Sequence, residues 1–267
     1  MGIFDKMKAA VGIGGTKIKI IFNKEGEDNE NPSYEQGEPV IGKLQITGGN
    51  TEQTINELHL QLKVRWTEIV EEVTEYADGH TEVVEEEDTN TKVLDEIVDT
   101  EPFQVTEGFQ KELDFEFPLP YDADISVEGE LSYYLYARAD IPGAIDARDK
   151  ASFDLIPSYE IQAVEHVLEE EFGFECEAEY SEEGWVVAEF VPTGDMADVL
   201  EVLNIRMKNG EEELRAEIVL DMDDRVSDDK TFRVAMPYEQ IVPGGQEADL
   251  KKIAEIFKGV FADLKWI

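Results

Sequence analysis

The sequence predicts a mainly β protein of two antiparallel β-sandwich domains, with short helices at the N-terminus, at the junction and at the C-terminus. Three observations carry this. Apolar residues recur mostly with a period of two, the mark of strands with one buried and one wet face. Turn signals punctuate the chain at short intervals, as in sandwiches and barrels. Near residue 157 a proline ends a strand pattern and a helical period begins.

Taken in order, Ile3 to Val11 has helical period and is stopped by Gly12. Gly12-Ile13-Gly14-Gly15-Thr16-Lys17 looks like a phosphate loop. It lacks the Gly-Lys-Ser/Thr order and follows a helix instead of a strand, so it reads as a joint. Leu58, Leu60, Leu62, Val64 and Trp66 alternate with polar residues, as do Leu113, Phe115 and Phe117. Such alternation belongs to antiparallel sheets, because parallel strands are apolar on both faces. Gly48-Gly49, Asp78-Gly79, Glu183-Gly184 and Asn209-Gly210 are the turn positions. Tyr159 to Phe172 reads as a helix, with Ser158 as N-cap and Gly173 just past its end. Phe174, Cys176, Ala178 and Tyr180 then alternate with glutamates, and Leu214, Ala216, Ile218 and Leu220 repeat the pattern. Ala248 to Leu264 places Ile253, Ile256, Phe257, Val260, Phe261 and Leu264 on one helical face. The expected domains are 1–157, a sandwich with a leading helix, and 158–267, a sandwich with a helix at its start and an amphipathic C-terminal helix.

Charge is the outlier. Asp and Glu number 63 against 23 Lys and Arg, a formal net charge of −40. Such a field repels nucleic acid and anionic lipid surfaces. With 42% apolar residues the chain still has material for ordinary cores. The acids are spread along the chain and not gathered in one tail. That favours adaptation to a salty cytoplasm, where salt screens their repulsion, over a surface built to mimic nucleic acid or capture basic partners. Cys176 is the only cysteine, so no internal disulfide and no cysteine metal cluster can form. No apolar run reaches the length of a membrane span. No basic segment leads into an apolar run at the start, and Lys6 stands where a myristoylation motif needs Ser or Thr. The expected compartment is the cytoplasm.

No catalytic set emerges, and no cofactor is expected. His59, His80 and His166 lack spaced ligand partners. Asp221, Asp223, Asp224, Asp228 and Asp229 invite a calcium reading, but Val226 and Phe232 stand where an EF-hand loop needs Gly and Glu. These aspartates are weak metal candidates in a solvated loop. A stronger polar candidate is the segment carrying Arg138, Asp140, Asp146, Arg148 and Asp149 between two strands. It reads either as an ionic cluster that latches the two domains or as an exposed loop whose surface pairs are worth under about 1 kcal/mol.

Several stretches together resemble the sporulation-control proteins of bacteria and archaea, an arrestin-like family. They are Phe4-Asp5-Lys6-Met7 with Val11 to Gly14, and Gly42 to Gly49 with Gln53 and Ile55. Asp140-Ile141 with Ala144, Asp146 and Asp149, leading to Phe153 and Pro157, and Glu189 to Gly194 complete the set. The resemblance implies the arrestin architecture and a regulatory or scaffolding role in sporulation control or in cell-division or envelope organisation. It brings no catalytic residues. The expected function is therefore non-enzymatic, through protein–protein interaction. The alternative is a cation- or glycan-binding sandwich module at Asp221 to Asp229. The expected partners are other proteins, with monomer and homodimer both open.

Salt adaptation has a direct consequence. The unfolding midpoint should rise steeply with potassium chloride up to molar concentration, and a flat response returns weight to the acidic-mimic reading.

Overall fold

The computed structural model describes residues 15–24, 31–75, 81–198, 200–222, 230–245 and 247–262. The helix expected at Ile3 to Val11, the first half of the Gly12 to Lys17 joint and the Asp78-Gly79 turn lie outside them. The chain falls into two compact units. One is drawn from Met1–Tyr34, Pro39–Pro118 and Ser126–Leu155, the other from Glu35–Glu38, Leu119–Ile125 and Ile156–Ile267.

The first unit contains two main sheets. One has the order β1 (Lys17–Phe22), β3 (Val40–Thr47), β8 (Gln110–Phe117). The other runs β2 (Ser33–Glu35), β10 (Ala147–Ile156), β9 (Leu131–Asp140), β5 (Glu57–Glu75), β6 (Thr81–Asp99). A small pair, β4 (Gln53–Ile55) with β7 (Phe103–Val105), completes it. The predicted alternation holds in β5, where Leu58, Leu60, Leu62 and Val64 are buried. Phe22, Tyr34, Tyr133 and Phe153 form an aromatic cluster, with centroids 5.4 Å apart for the Tyr34–Phe153 edge-to-face pair. Such pairs add about 0.5–1.5 kcal/mol beyond the area they bury.

The second unit is one antiparallel sheet with helices on a single face. Its strands are β11 (Phe174–Glu182), β12 (Trp185–Pro192), β13 (Leu200–Asn209), β14 (Glu213–Met222) and β15 (Lys230–Pro237), hydrogen-bonded in that order. The helices are α1 (Tyr159–Phe172), α2 (Tyr238–Ile241) and α3 (Leu250–Phe261). β10 ends at Ile156 and α1 begins at Tyr159, because Pro157 cannot donate to a ladder and disfavours helix before it. Gly173, at φ 70°, is the left-handed cap of α1, as expected from its place in the sequence. Ser158 occupies the N-cap position, but its hydroxyl makes no cap hydrogen bond. It lies instead 3.0 Å from Asn209 Nδ2. Asp249 caps α3, accepting from the Lys252 N–H at 3.0 Å. Below that cap Ile253, Phe257, Val260 and Phe261 are buried, and Phe261 meets Phe172 edge to face at 5.0 Å. The mainly β, antiparallel class read from the sequence is what the chain adopts.

β11 departs from expectation. Phe174 is buried, but Cys176 is exposed and Tyr180 is 44% exposed. Cys176 still pairs with buried Phe190, on the helix side, but a bulge between Cys176 and Ala178, where the register against β12 slips, turns Ala178 and Tyr180 to the other face. One extra residue exchanges the two faces of the strand beyond it. Glu179 therefore pairs with buried Ala188, on the helix side of the sheet. There it meets Glu165 of α1, whose Oε1 is buried without a hydrogen-bond partner. Burial, together with the charges of Glu179 and Glu169, pushes the Glu165 carboxyl up to about 9. Partial desolvation of its sulfur beside α1, with the charges of Glu179, Glu165 and Glu169, pushes the Cys176 thiol up to about 11, which makes it a poor nucleophile.

A carboxyl whose folded pKa lies above its unfolded value adds stability fully below the unfolded value and loses it as pH rises toward the folded one. For Glu165 that window runs from about 4.5 to about 9. Glu165→Gln should raise the melting temperature relative to the parent at pH 8 and converge with it near pH 4.5. A chain of this size gains about 2–4 °C per kcal/mol. A difference independent of pH, in melts at constant salt, would refute the assignment.

Candidate functional site

The polar segment of the first unit is the strongest site read from the sequence, and most of it converges. β9 and β10 form a hairpin that places Arg138 opposite Arg148. Asp146, in the connecting turn, accepts from Arg138 Nε at 2.8 Å and lies 3.7 Å from Arg148 Nη2. It also accepts the Ile141 N–H at 3.3 Å. Burial raises the Asp146 carboxyl, but the hydrogen bonds from Arg138 and Ile141, with both guanidinium charges, outweigh it and hold the group below the usual range. Asp140 stands at 3.9 Å from Arg138, the edge of contact. Asp149 takes no part in this cluster. Its carboxylate accepts the Ile20 N–H of β1 at 2.7 Å, satisfying a donor on that strand's outer edge. Arg138 and Arg148 remain 45% and 60% exposed, so the pairs are of the weak surface kind.

The metal candidates do not assemble. Asp223, Asp224, Asp228 and Asp229 lie outside the described residues, and Asp221 belongs to β14. Among the described residues no group of three or more His, Cys, Asp or Glu has metal-holding geometry. No helix among them is long and apolar enough to cross a membrane.

The feature with the most binding potential was not read from the sequence. β6 is an edge strand of 19 residues, paired along one side to β5. It overhangs the core. Opposite the buried Leu58, Leu60 and Leu62 it places Asp99, Ile97 and Asp95. Val93, Leu94, Ile97 and Val98 are each more than 40% exposed. Ile97 and Leu113 help line a narrow apolar slot of about 40 Å³ between β6 and β8. β5 pairs with β9 only as far as Trp66, and beyond it β5 and β6 run on as a two-stranded ribbon. Residues 68–75 and 81–88 carry nine acids and no Lys or Arg. Glu68 sits directly opposite Asp88, and the Asn90 amide donates to both carboxylates, at 2.7 and 3.4 Å. The sequence hides this edge because apolar residues occur on both faces of β6, which destroys a period-two signal.

His59 pins the root of this edge. Its Nδ1 lies 2.9 Å from Glu96 of β6 and its Nε2 3.2 Å from Glu57. The second unit adds a cavity whose walls come from separate parts of the chain, among them Tyr121, Glu160, Asn209 and Tyr238. No local motif joins them, so sequence reasoning had no handle on it.

The SpoOM protein family model matches residues 4–226. The sporulation-control protein spo0M of Bacillus subtilis (strain 168) is 30% identical over 242 residues, covering 84% of this chain and 82% of that protein. The crystal structure of Spo0M, sporulation control protein, from Bacillus subtilis matches with a TM-score of 0.61. The match covers 94% of this chain and 99% of that one at 22% identity, and it speaks to fold alone.

The hydrogen bond it donates to Glu96 raises the His59 imidazole above its ordinary 6.5, against burial, with Glu57 adding to the rise. The stability this adds is complete below pH 6.5 and is lost as pH rises through the raised value. In an NMR titration His59 should therefore titrate above 6.5, and Glu96→Gln should bring it down. An unchanged midpoint in the variant would show that Glu96 is not the cause.

Proposed function

The chain belongs to the SpoOM protein family, and from that premise we propose that it is a non-enzymatic regulator that works by binding an extended segment of a partner protein along the open edge of β6. The observation that carries this reading is the edge itself. An edge strand of 19 residues offers a row of backbone donors and acceptors to a further strand. A partner strand there extends the five-stranded sheet and lays an apolar side chain over the slot by Ile97 and Leu113. The acidic ribbon sets the partner's chemistry as basic residues alternating with apolar ones. A second copy fits poorly, since β6 has eight acids against one lysine and would meet its own charge. The relative's name places that protein in sporulation control, and we extend only the regulatory role to this chain.

A photo-crosslinking amino acid at Val93 or Val98, used in the native host at native salt, should trap a discrete partner with a basic, apolar-alternating segment. Ile97→Lys should reduce the adduct about tenfold, equivalent to 1.4 kcal/mol of binding. A crosslinker at Val219, on the sheet of the second unit, should trap little. Equal adducts from Val219, or adducts only with a second copy of the chain, would overturn the proposal.

A further inference from the structure

The second unit contains a cavity of about 610 Å³, within the size range of small-ligand sites. It is walled by the 119–125 segment, the first turn of α1, the turn between β13 and β14, and α2. Its floor is a finished hydrogen-bond network. Asn209, 8% exposed, accepts from the Tyr238 hydroxyl at 3.0 Å through Oδ1 and donates to Ser158 Oγ at 3.0 Å through Nδ2. Burial first, and then the nearby Glu160 carboxylate, push the Tyr238 phenol up to about 12, so it stays neutral and keeps donating. These groups hold one another and offer no free donor to an anion.

What remains for a ligand is of one kind. Asp122, Glu160 and Glu211 line the cavity, and among the described residues no Lys, Arg or His does. Two tyrosine rings, Tyr121 and Tyr238, and the side chain of Val242 supply apolar walls. A cleft lined by one sign of charge focuses its field on the opposite charge. Tyrosine faces add attraction for an organic cation. A bare metal ion is a poor fit, because these carboxylates form no metal-holding group. Sheer acidity does not explain the arrangement either, since an acidic surface does not need a pocket, two aromatic rings and a pre-organised floor.

We propose that this cavity binds a primary alkylammonium group. The ammonium lies among Asp122, Glu160 and Glu211, and its methylene chain rests on Tyr121, Tyr238 and Val242. The group is supplied either by a free polyamine or by a lysine side chain of a partner protein. This site is independent of the β6 edge, and either can fail while the other stands.

The test is calorimetry on the full chain in 1 M potassium chloride, with spermidine and with an acetylated, amidated Gly-Lys-Gly peptide as probes. Saturable one-to-one binding is expected for at least one of them. Binding of spermidine alone assigns the site to free polyamines, and binding of the peptide to a partner's lysine. Glu160→Gln and Tyr121→Ala should each weaken the bound probe about tenfold, the range of a desolvated cation–aromatic or charge contact. Tyr121 is 64% exposed, so its truncation leaves the core intact, which an unchanged melting temperature verifies. Glu101→Gln, on the first unit, should change nothing. Absence of saturable heat with both probes would overturn the proposal. So would equal weakening by Glu160→Gln and Glu101→Gln, the mark of nonspecific condensation on an acidic surface.

Discussion

An antiparallel strand sends its side chains alternately to two faces, and each sheet of this chain must cover one of them. In the first unit the cover is a second sheet, so Phe22 of one sheet meets Tyr34 and Phe153 of the other. In the second unit it is a pair of helices, whose apolar faces close on Phe174 and Phe190. Burying a large apolar side chain stabilises by about 1.5–3 kcal/mol, so a face covered along four strands outweighs any surface ion pair here. Sites arise where the cover stops. β6 overhangs the core of the first unit, and the cavity opens where α2 and the β13–β14 turn leave the sheet.

The shortage of bases shapes the rest. Several of those present are held by what lies beside them. Lys63 sits over Tyr136 at 4.6 Å and Lys150 over Tyr134 at 4.0 Å. Glu217 bridges Arg206 and Arg233 on the outer face of the second sheet, and its carboxyl is held below the usual range by both. At the start of the ribbon Asn90 bridges the opposed carboxylates, donating to Glu68 at 2.7 Å and to Asp88 at 3.4 Å, so a neutral amide does there what a base does elsewhere.

Much of the framework was legible in single residues. The alternation of β5, the proline stop after Ile156, the Gly173 cap and the apolar stripe of α3 each follow from local chemistry. The Glu183-Gly184 turn does too, with both residues at positive φ, 53° and 76°. What stayed hidden depends on register. The bulge after Cys176 turned an expected buried face outward and carried Glu179 in against Glu165, and no composition signal marks an extra residue in a strand. The hydroxyl of Ser158 was read as a cap, but a buried Asn209 competes for it. Of the polar segment, Arg138, Asp146 and Arg148 come together, whereas Asp149 serves the edge of β1. Spacing alone cannot separate two carboxylates three residues apart.

The residues that carry the family resemblance mostly turn out to hold the scaffold. A side chain on Gly42 would begin 2.3 Å from the Ile21 carbonyl oxygen, and one on Gly48 only 1.9 Å from that of Thr106. Gln53 is buried, its Oε1 accepting the Thr16 N–H at 2.7 Å, and Ile55 and Phe153 are core. Such positions fix strand spacing and sheet closure, which is why they identify a fold so well. Buried positions of this kind do not touch a partner, and the exposed apolar residues of β6 lie outside those stretches.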